Sequence, residues 1–378
     1  MSIKPKVLYN ILKKNGVEFY TGVPDSTIKD FCFYLEEVVP SNNHIIAANE
    51  GNSIGIATGY HLSSGKIPFV YMQNSGLGNA INPLTSLADE TVFSIPMIIM
   101  IGWRGEPGTK DAVQHQKDGE IQEQLLKALK IPYQILSLDN DKLESQITLS
   151  IETSRTNSSP FVILVRRNSF DKFIHDEKQN QVLFSDMSRE YALSNIYDKI
   201  EKNAIIVSTT GKISRELNEI KTKSSSKLER ELMVVGSMGH ASSIALGVSI
   251  NSPEHQLYCI DGDGSIIMHM GIMATVGKYS TSNFKHILIN NFSHDSVGGQ
   301  SSNSEVVNFS YLSKSFSYKN FFQISKKSDF NSVFDDFLNS PAPSLLEIIV
   351  NKGARSDLPR PNRTPLENKK DFMNFLGI

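Results

Sequence analysis

Two short stretches in the second half of the chain carry residue types that bind metals and phosphates. An apolar run at 257–260 leads into Asp261-Gly262-Asp263-Gly264-Ser265, and another at 286–290 ends in Asn290-Asn291. Glycines beside an aspartate at a strand end let a phosphate-bearing ligand approach the backbone closely. A carboxylate and an amide oxygen are hard donors that suit magnesium, which also takes the oxygens of a diphosphate. The interval from Asp263 to Asn291 leaves room for one helix and a returning strand. Both ends then fall at the carboxyl edge of neighbouring parallel strands, where open α/β sheets bind ligands. Gly-Asp-Gly alone is a tight turn, but a turn does not account for the paired asparagines.

The elements that must position these residues follow from the apolar pattern. Runs at 69–73, 97–101, 161–165, 204–208, 257–260, 286–290 and 345–350 are apolar on both faces, as strands covered by helices on both sides should be. Helix-length segments rich in small and aliphatic residues, at 51–62, 241–250 and 269–279, lie between them. This alternation predicts an α/β architecture of doubly wound parallel sheets. The polar stretch at 174–185 divides the chain, and a second at 221–230 is expected to be a loop. The expected organisation is a domain at 1–175, a linker at 176–188 and a domain at 189–378.

Composition removes several classes of function. With 38 basic and 40 acidic side chains and a net charge of −2, the chain lacks the basic domain of a nucleic-acid binder. Its most apolar stretch, 92–102, contains Pro96 and is too short for a membrane span, which needs about 20 residues. The opening residues, 1–16, form an amphipathic helix pattern without a signal-peptide core, so a cytoplasmic protein is expected. Cys32 and Cys259 are far apart and are expected to be buried thiols.

Gly262-Asp263-Gly264-Ser265 followed by Asn290-Asn291 resembles the cofactor motif of the thiamine diphosphate-dependent enzymes. The resemblance implies that Asp263, Asn291 and the carbonyl of Ser293 hold magnesium, with Gly262, Gly264 and Ser265 against the diphosphate. It also implies that Glu50, in Ala48-Asn49-Glu50-Gly51-Asn52, hydrogen-bonds the pyrimidine ring nitrogen. Without the resemblance, Glu50 is simply a favourable charge at a helix start. In Val235-Gly236-Ser237-Met238-Gly239, Met238 would be the wedge that bends the cofactor, and the Gly236 carbonyl would accept from the pyrimidine amino group. Met238 alone would be a core filler.

A narrower resemblance runs along nearly the whole chain. Gly22-Val23-Pro24-Asp25-Ser26, Tyr71-Met72-Gln73-Asn74-Ser75-Gly76-Leu77-Gly78-Asn79 and Ile101-Gly102-Trp103-Arg104-Gly105-Glu106-Pro107-Gly108 are similar to the phosphonopyruvate decarboxylase family. So are Ser208-Thr209-Thr210-Gly211-Lys212 and the tail Ala354-Arg355-Ser356-Asp357-Leu358-Pro359-Arg360-Pro361. Ala112-Val113 depart from that family's Glu-Pro before Gln114-His115, though the histidine is kept. The resemblance implies a pyrimidine-binding and a diphosphate-binding domain with no middle domain, and decarboxylation of 3-phosphonopyruvate to phosphonoacetaldehyde. It implies at least a homodimer, with active sites at the subunit interface.

Asp25 and His115 are then the candidates for acid–base work. Taken alone, Asp25-Ser26 would cap a helix from Thr27, and His115 would be an exposed loop histidine. A doubly charged phosphonate calls for arginine or lysine. Arg104, Lys110 and Arg360, with Ser26, are the candidates for that anion. A sulfopyruvate decarboxylase is the nearest alternative. A non-catalytic subunit would not need Glu50, Asp263 and Asn291 together, and a nicotinamide dehydrogenase would need a Gly-x-Gly-x-x-Gly turn that is absent.

Overall fold

The computed structural model describes residues 2–174, 185–224, 229–361 and 363–378. The chain divides into two compact units, Met1–Asn180 and Gln181–Ile378. Residues 175–184, the end of the expected first domain and most of the expected linker, lie outside the described residues, as do 225–228 within the expected loop.

In the first unit the strands are β1 (Tyr20–Gly22), β2 (His44–Ile46), β3 (Phe69–Gln73), β4 (Met97–Gly102), β5 (Tyr133–Ile135) and β6 (Pro160–Val165). They form one sheet in the order β2-β1-β3-β4-β6-β5, every pairing parallel. The second unit has β7 (Ile205–Ser208), β8 (Glu231–Met233), β9 (Leu257–Gly262), β10 (Phe284–Asn290), β11 (Asn320–Ile324) and β12 (Ser344–Ile349). Its order is β11-β12-β10-β9-β7-β8, again wholly parallel. Counted from its own first strand, the second sheet repeats the strand order of the first.

The central strands of each sheet are buried on both faces, and their successive residues, pointing to opposite sides, feed two apolar layers. Phe69, Tyr71, Ile98 and Met100 join one apolar layer of the first unit; Val70, Met72, Ile99 and Ile101 join the other. In the second unit Tyr258 and Ile260 face one layer, Leu257 and Cys259 the other. Trp103 is also core, with its indole N–H donating to the Gly119 carbonyl at 3.0 Å. Both cysteines are buried free thiols.

The helices start and stop where local chemistry allows. Helix Glu50–Ser64 is capped by the Asn49 side chain, which accepts from Asn52 N–H at 2.9 Å, and ends at the left-handed Gly65. Two expectations need correction. The helix expected from Thr27 begins at Lys29, because residues 26–28 form a turn in which the Asp25 carboxylate binds Thr27 N–H. The helix expected at 269–279 covers only Ile272–Tyr279, because His269 leaves helical geometry after a separate short helix, Asp263–Met268. No described helix is long and apolar enough to cross a membrane.

Candidate active site

The carboxyl ends of β10, β9, β7 and β8 are adjacent, at the point where the chain turns from one side of the sheet to the other. Asp263 follows Gly262 at the end of β9, and its carboxylate is buried. Its Oδ2 accepts from Ser302 Oγ and, at 2.9 Å, from Ser304 Oγ. Burial pushes its carboxyl up, while the two serines and backbone N–H groups pull it back. Ser304 Oγ also reaches Asn290 Oδ1 at 3.0 Å, tying the ends of β9 and β10 together.

Asn290 and Asn291 do different work. Asn290 is turned inward, donating to Glu347 Oε1 at 2.7 Å and accepting from Phe292 N–H at 3.1 Å. Asn291 donates to Asp295 Oδ2 at 2.7 Å and accepts from Ser293 N–H at 3.2 Å. Between Asn291 and Ser293, Phe292 adopts a left-handed φ of 58°, uncommon for a bulky residue and typical of sites where the surroundings impose it. The Asp263 carboxylate, Asn291 amide oxygen and Ser293 carbonyl are an all-oxygen set that fits a hard divalent cation.

The turn after β8 joins this cluster. Gly236 N–H donates to Thr210 Oγ1 at 3.1 Å, and Gly239 N–H to Ser265 Oγ at 3.1 Å. Ser265 Oγ in turn shares a hydrogen bond with Thr209 Oγ1 at 2.9 Å. Met238 Cε lies 3.3 Å, and the His294 ring 2.6 Å, from where a Cβ on Gly264 would stand. Only glycine admits both. Burial lowers the His294 imidazole to about 4, so the ring is neutral at pH 7.

The second cluster belongs to the first unit and sits at the carboxyl ends of β1, β2, β3 and β4. Glu50 is the first residue of its helix, and its buried carboxylate accepts from Asn79 Nδ2 at 2.8 Å. It lies so close to Gly76 that a Cβ there would stand 2.2 Å from Oε1. Asp25 is fully buried, held by Thr27 N–H at 2.9 Å and by the Gln73 amide. Burial raises its carboxyl, and the hydrogen bonds and the Arg104 charge offset part of that.

Arg104 is brought to the same place but is already engaged. Its Nε and Nη2 meet Asp111 at 2.7 and 2.5 Å, and Nη1 donates to Ser26 Oγ at 2.9 Å. Burial raises the Asp111 carboxyl, but Arg104 and two backbone N–H groups outweigh it and hold the carboxyl well down. His115 ends a short 3₁₀ turn, half-buried, with its carbonyl against Gly105, the residue after Arg104. Lys110 is exposed on the same loop. Arg360, exposed in the second unit beside Arg215, forms no ion pair among the described residues. Thr209, Thr210, Ser302, Ser304 and Asp295 were not singled out as site residues from sequence. The two threonines stood in a family-like segment; the others are hydroxyls and a carboxylate in a loop without periodicity.

With this geometry in view, comparison with known proteins identifies the class. Residues 5–126 match the thiamine pyrophosphate enzyme N-terminal TPP binding domain, and residues 209–348 match the C-terminal TPP binding domain. The chain belongs to the thiamine pyrophosphate enzymes. A phosphonopyruvate decarboxylase of Streptomyces viridochromogenes is 28% identical across 96% of this chain and 92% of its own length. One from Streptomyces hygroscopicus is 28% identical across 95% and 90%. A sulfopyruvate decarboxylase of Methanosarcina acetivorans is 25% identical across 97% and 96%.

Proposed function

We propose that this chain is a cytoplasmic, thiamine diphosphate- and magnesium-dependent decarboxylase that converts 3-phosphonopyruvate to phosphonoacetaldehyde and carbon dioxide. The observation that carries the reading is the all-oxygen set of Asp263, Asn291 and Ser293 in a chain similar end to end to two phosphonopyruvate decarboxylases. Residues 1–175 take the pyrimidine-binding role and 189–378 the diphosphate-binding role. When bound, the cofactor supplies the electron sink for the pair left as carbon dioxide departs.

The chain's own residues orient and tune that chemistry. Asp263, Asn291 and the Ser293 carbonyl hold magnesium, and Gly262, Gly264 and Ser265 line the diphosphate. The Gly236 carbonyl would accept from the cofactor's pyrimidine amino group, Met238 would pack against the cofactor, and Glu50 would hydrogen-bond the pyrimidine ring nitrogen. Asp25 and His115 move protons at the substrate. Arg104 has five N–H donors, three of them engaged here, so two remain for an anion. Asp111 balances its charge, so Lys110 supplies further positive charge, with Ser26 as a hydroxyl partner; Arg360 is a second candidate for the phosphonate. Gly55 and Gly59, exposed with open space on helix Glu50–Ser64, support close packing of a second copy. We take the enzyme to be at least a dimer, with its sites at the interface.

Purified protein given phosphonopyruvate or sulfopyruvate, with carbon dioxide release measured, tests the substrate. Faster turnover of sulfopyruvate overturns the assignment. Glu50→Gln should lower the rate by roughly 10²–10⁴-fold while thiamine diphosphate still binds; an unchanged rate sinks the role given to Glu50.

A further inference from the structure

Asn291 is not free to choose which way its amide faces. Its Nδ2 donates to Asp295 Oδ2 at 2.7 Å, and a carboxylate accepts but cannot donate. The amide oxygen must therefore face the other side, where it meets Ser293 N–H. Asp295 is itself fixed. The same Oδ2 accepts from Arg189 Nη1 at 2.8 Å and Gly353 N–H at 3.0 Å, and Ser293 Oγ reaches Oδ1 at 3.4 Å. Arg189 is buried and forks onto Glu216, Nε to Oε2 at 2.9 Å and Nη2 to Oε1 at 3.0 Å. Glu216 is buried on helix Lys212–Lys223, which begins just after Thr209, Thr210 and Gly211.

We propose that Asp295 is a positioning residue that aims the Asn291 amide oxygen at the metal, held in place by Arg189 and Glu216. The inference rests on the proposed role of Asn291 as a metal ligand. Arg189 also balances the Asp295 charge, so this carboxylate orients a ligand without competing for the ion. Partners behind metal ligands commonly matter to affinity by about 10–100-fold. Replacing Asp295 by asparagine leaves the shape but lets the residue present a donor or an acceptor, and the amide at 291 loses its fixed sense.

The test measures binding rather than turnover: Mn²⁺ titrated into the purified protein with thiamine diphosphate, free ion read by electron paramagnetic resonance. Asp295→Asn should weaken Mn²⁺ binding by about 10–100-fold, with the decarboxylation rate largely recovered at saturating metal. Asn291→Ala should weaken it at least as much, and adding Asp295→Asn to it should change nothing further. Wild-type affinity in Asp295→Asn, or losses that add in the double variant, overturns the inference. Unchanged binding in Asn291→Ala instead overturns the ligand role on which it rests. If Asp295→Asn does not fold, Arg189→Lys, which keeps the charge but loses the fork, carries the same test. A smaller loss that disappears in the Asn291→Ala background supports the inference, and unchanged affinity overturns it.

Discussion

Asp25 keeps its carboxylate wholly out of water, with hydrogen bonds from Thr27 and Gln73 and the charge of Arg104 nearby. Burial outweighs those partners, so the folded chain holds the Asp25 proton more tightly than the unfolded chain does. Protonation therefore favours folding, and Asp25 costs stability as pH rises above its ordinary value of 3.8. Asp25→Asn should raise Tm at pH 7, with the gain shrinking as pH falls towards 3.8. The same change should cut decarboxylation by about 10²–10⁴-fold. Thermal melts across that pH range, beside rate assays, check both; a lower Tm than wild type at pH 7 contradicts the account. Asp111 has the opposite character. Arg104 holds it ionised, and that pair keeps its charge to low pH.

At the scale of elements, strand ends and the turns after them do the positioning. Gly76 has φ of −77°, which any residue adopts, so alanine there would not disturb the backbone. Its Cβ would instead stand 2.2–2.6 Å from Glu50 Oε1, Cδ and Cγ, so the buried Glu50 side chain must shift. Gly76→Ala should therefore keep the fold with a lowered Tm and lose activity towards the Glu50→Gln level. A fully active Gly76→Ala enzyme contradicts that seating of Glu50. Much of this was legible in the chain. The runs at 69–73, 257–260 and 286–290 are strands because burial on both faces leaves an unbroken apolar signature. Tyr20–Gly22, Tyr133–Ile135 and Glu231–Met233 escaped because three residues show no period, and Asn320–Ile324 because it is a partly exposed edge. In the site, Asp263 and Asn291 announced themselves by type and spacing. Ser302, Ser304 and Asp295 did not, since only the folded loop brings their oxygens to those residues.

For the molecule as a whole, a near-neutral charge means that an anionic substrate is met by local cations rather than by the field of the entire protein. If each site needs two copies of the chain, specific activity should fall on dilution through the range where sedimentation shows dissociation, and return on concentration. A folded monomer with full activity overturns that expectation. The two sheets share one strand order, and each closes its own apolar layers without borrowing a strand. Severing the chain between the units would therefore cost no strand pairing among the described residues. In heredity, one gene or two could encode these sheets, since among the described residues no strand pairing joins them.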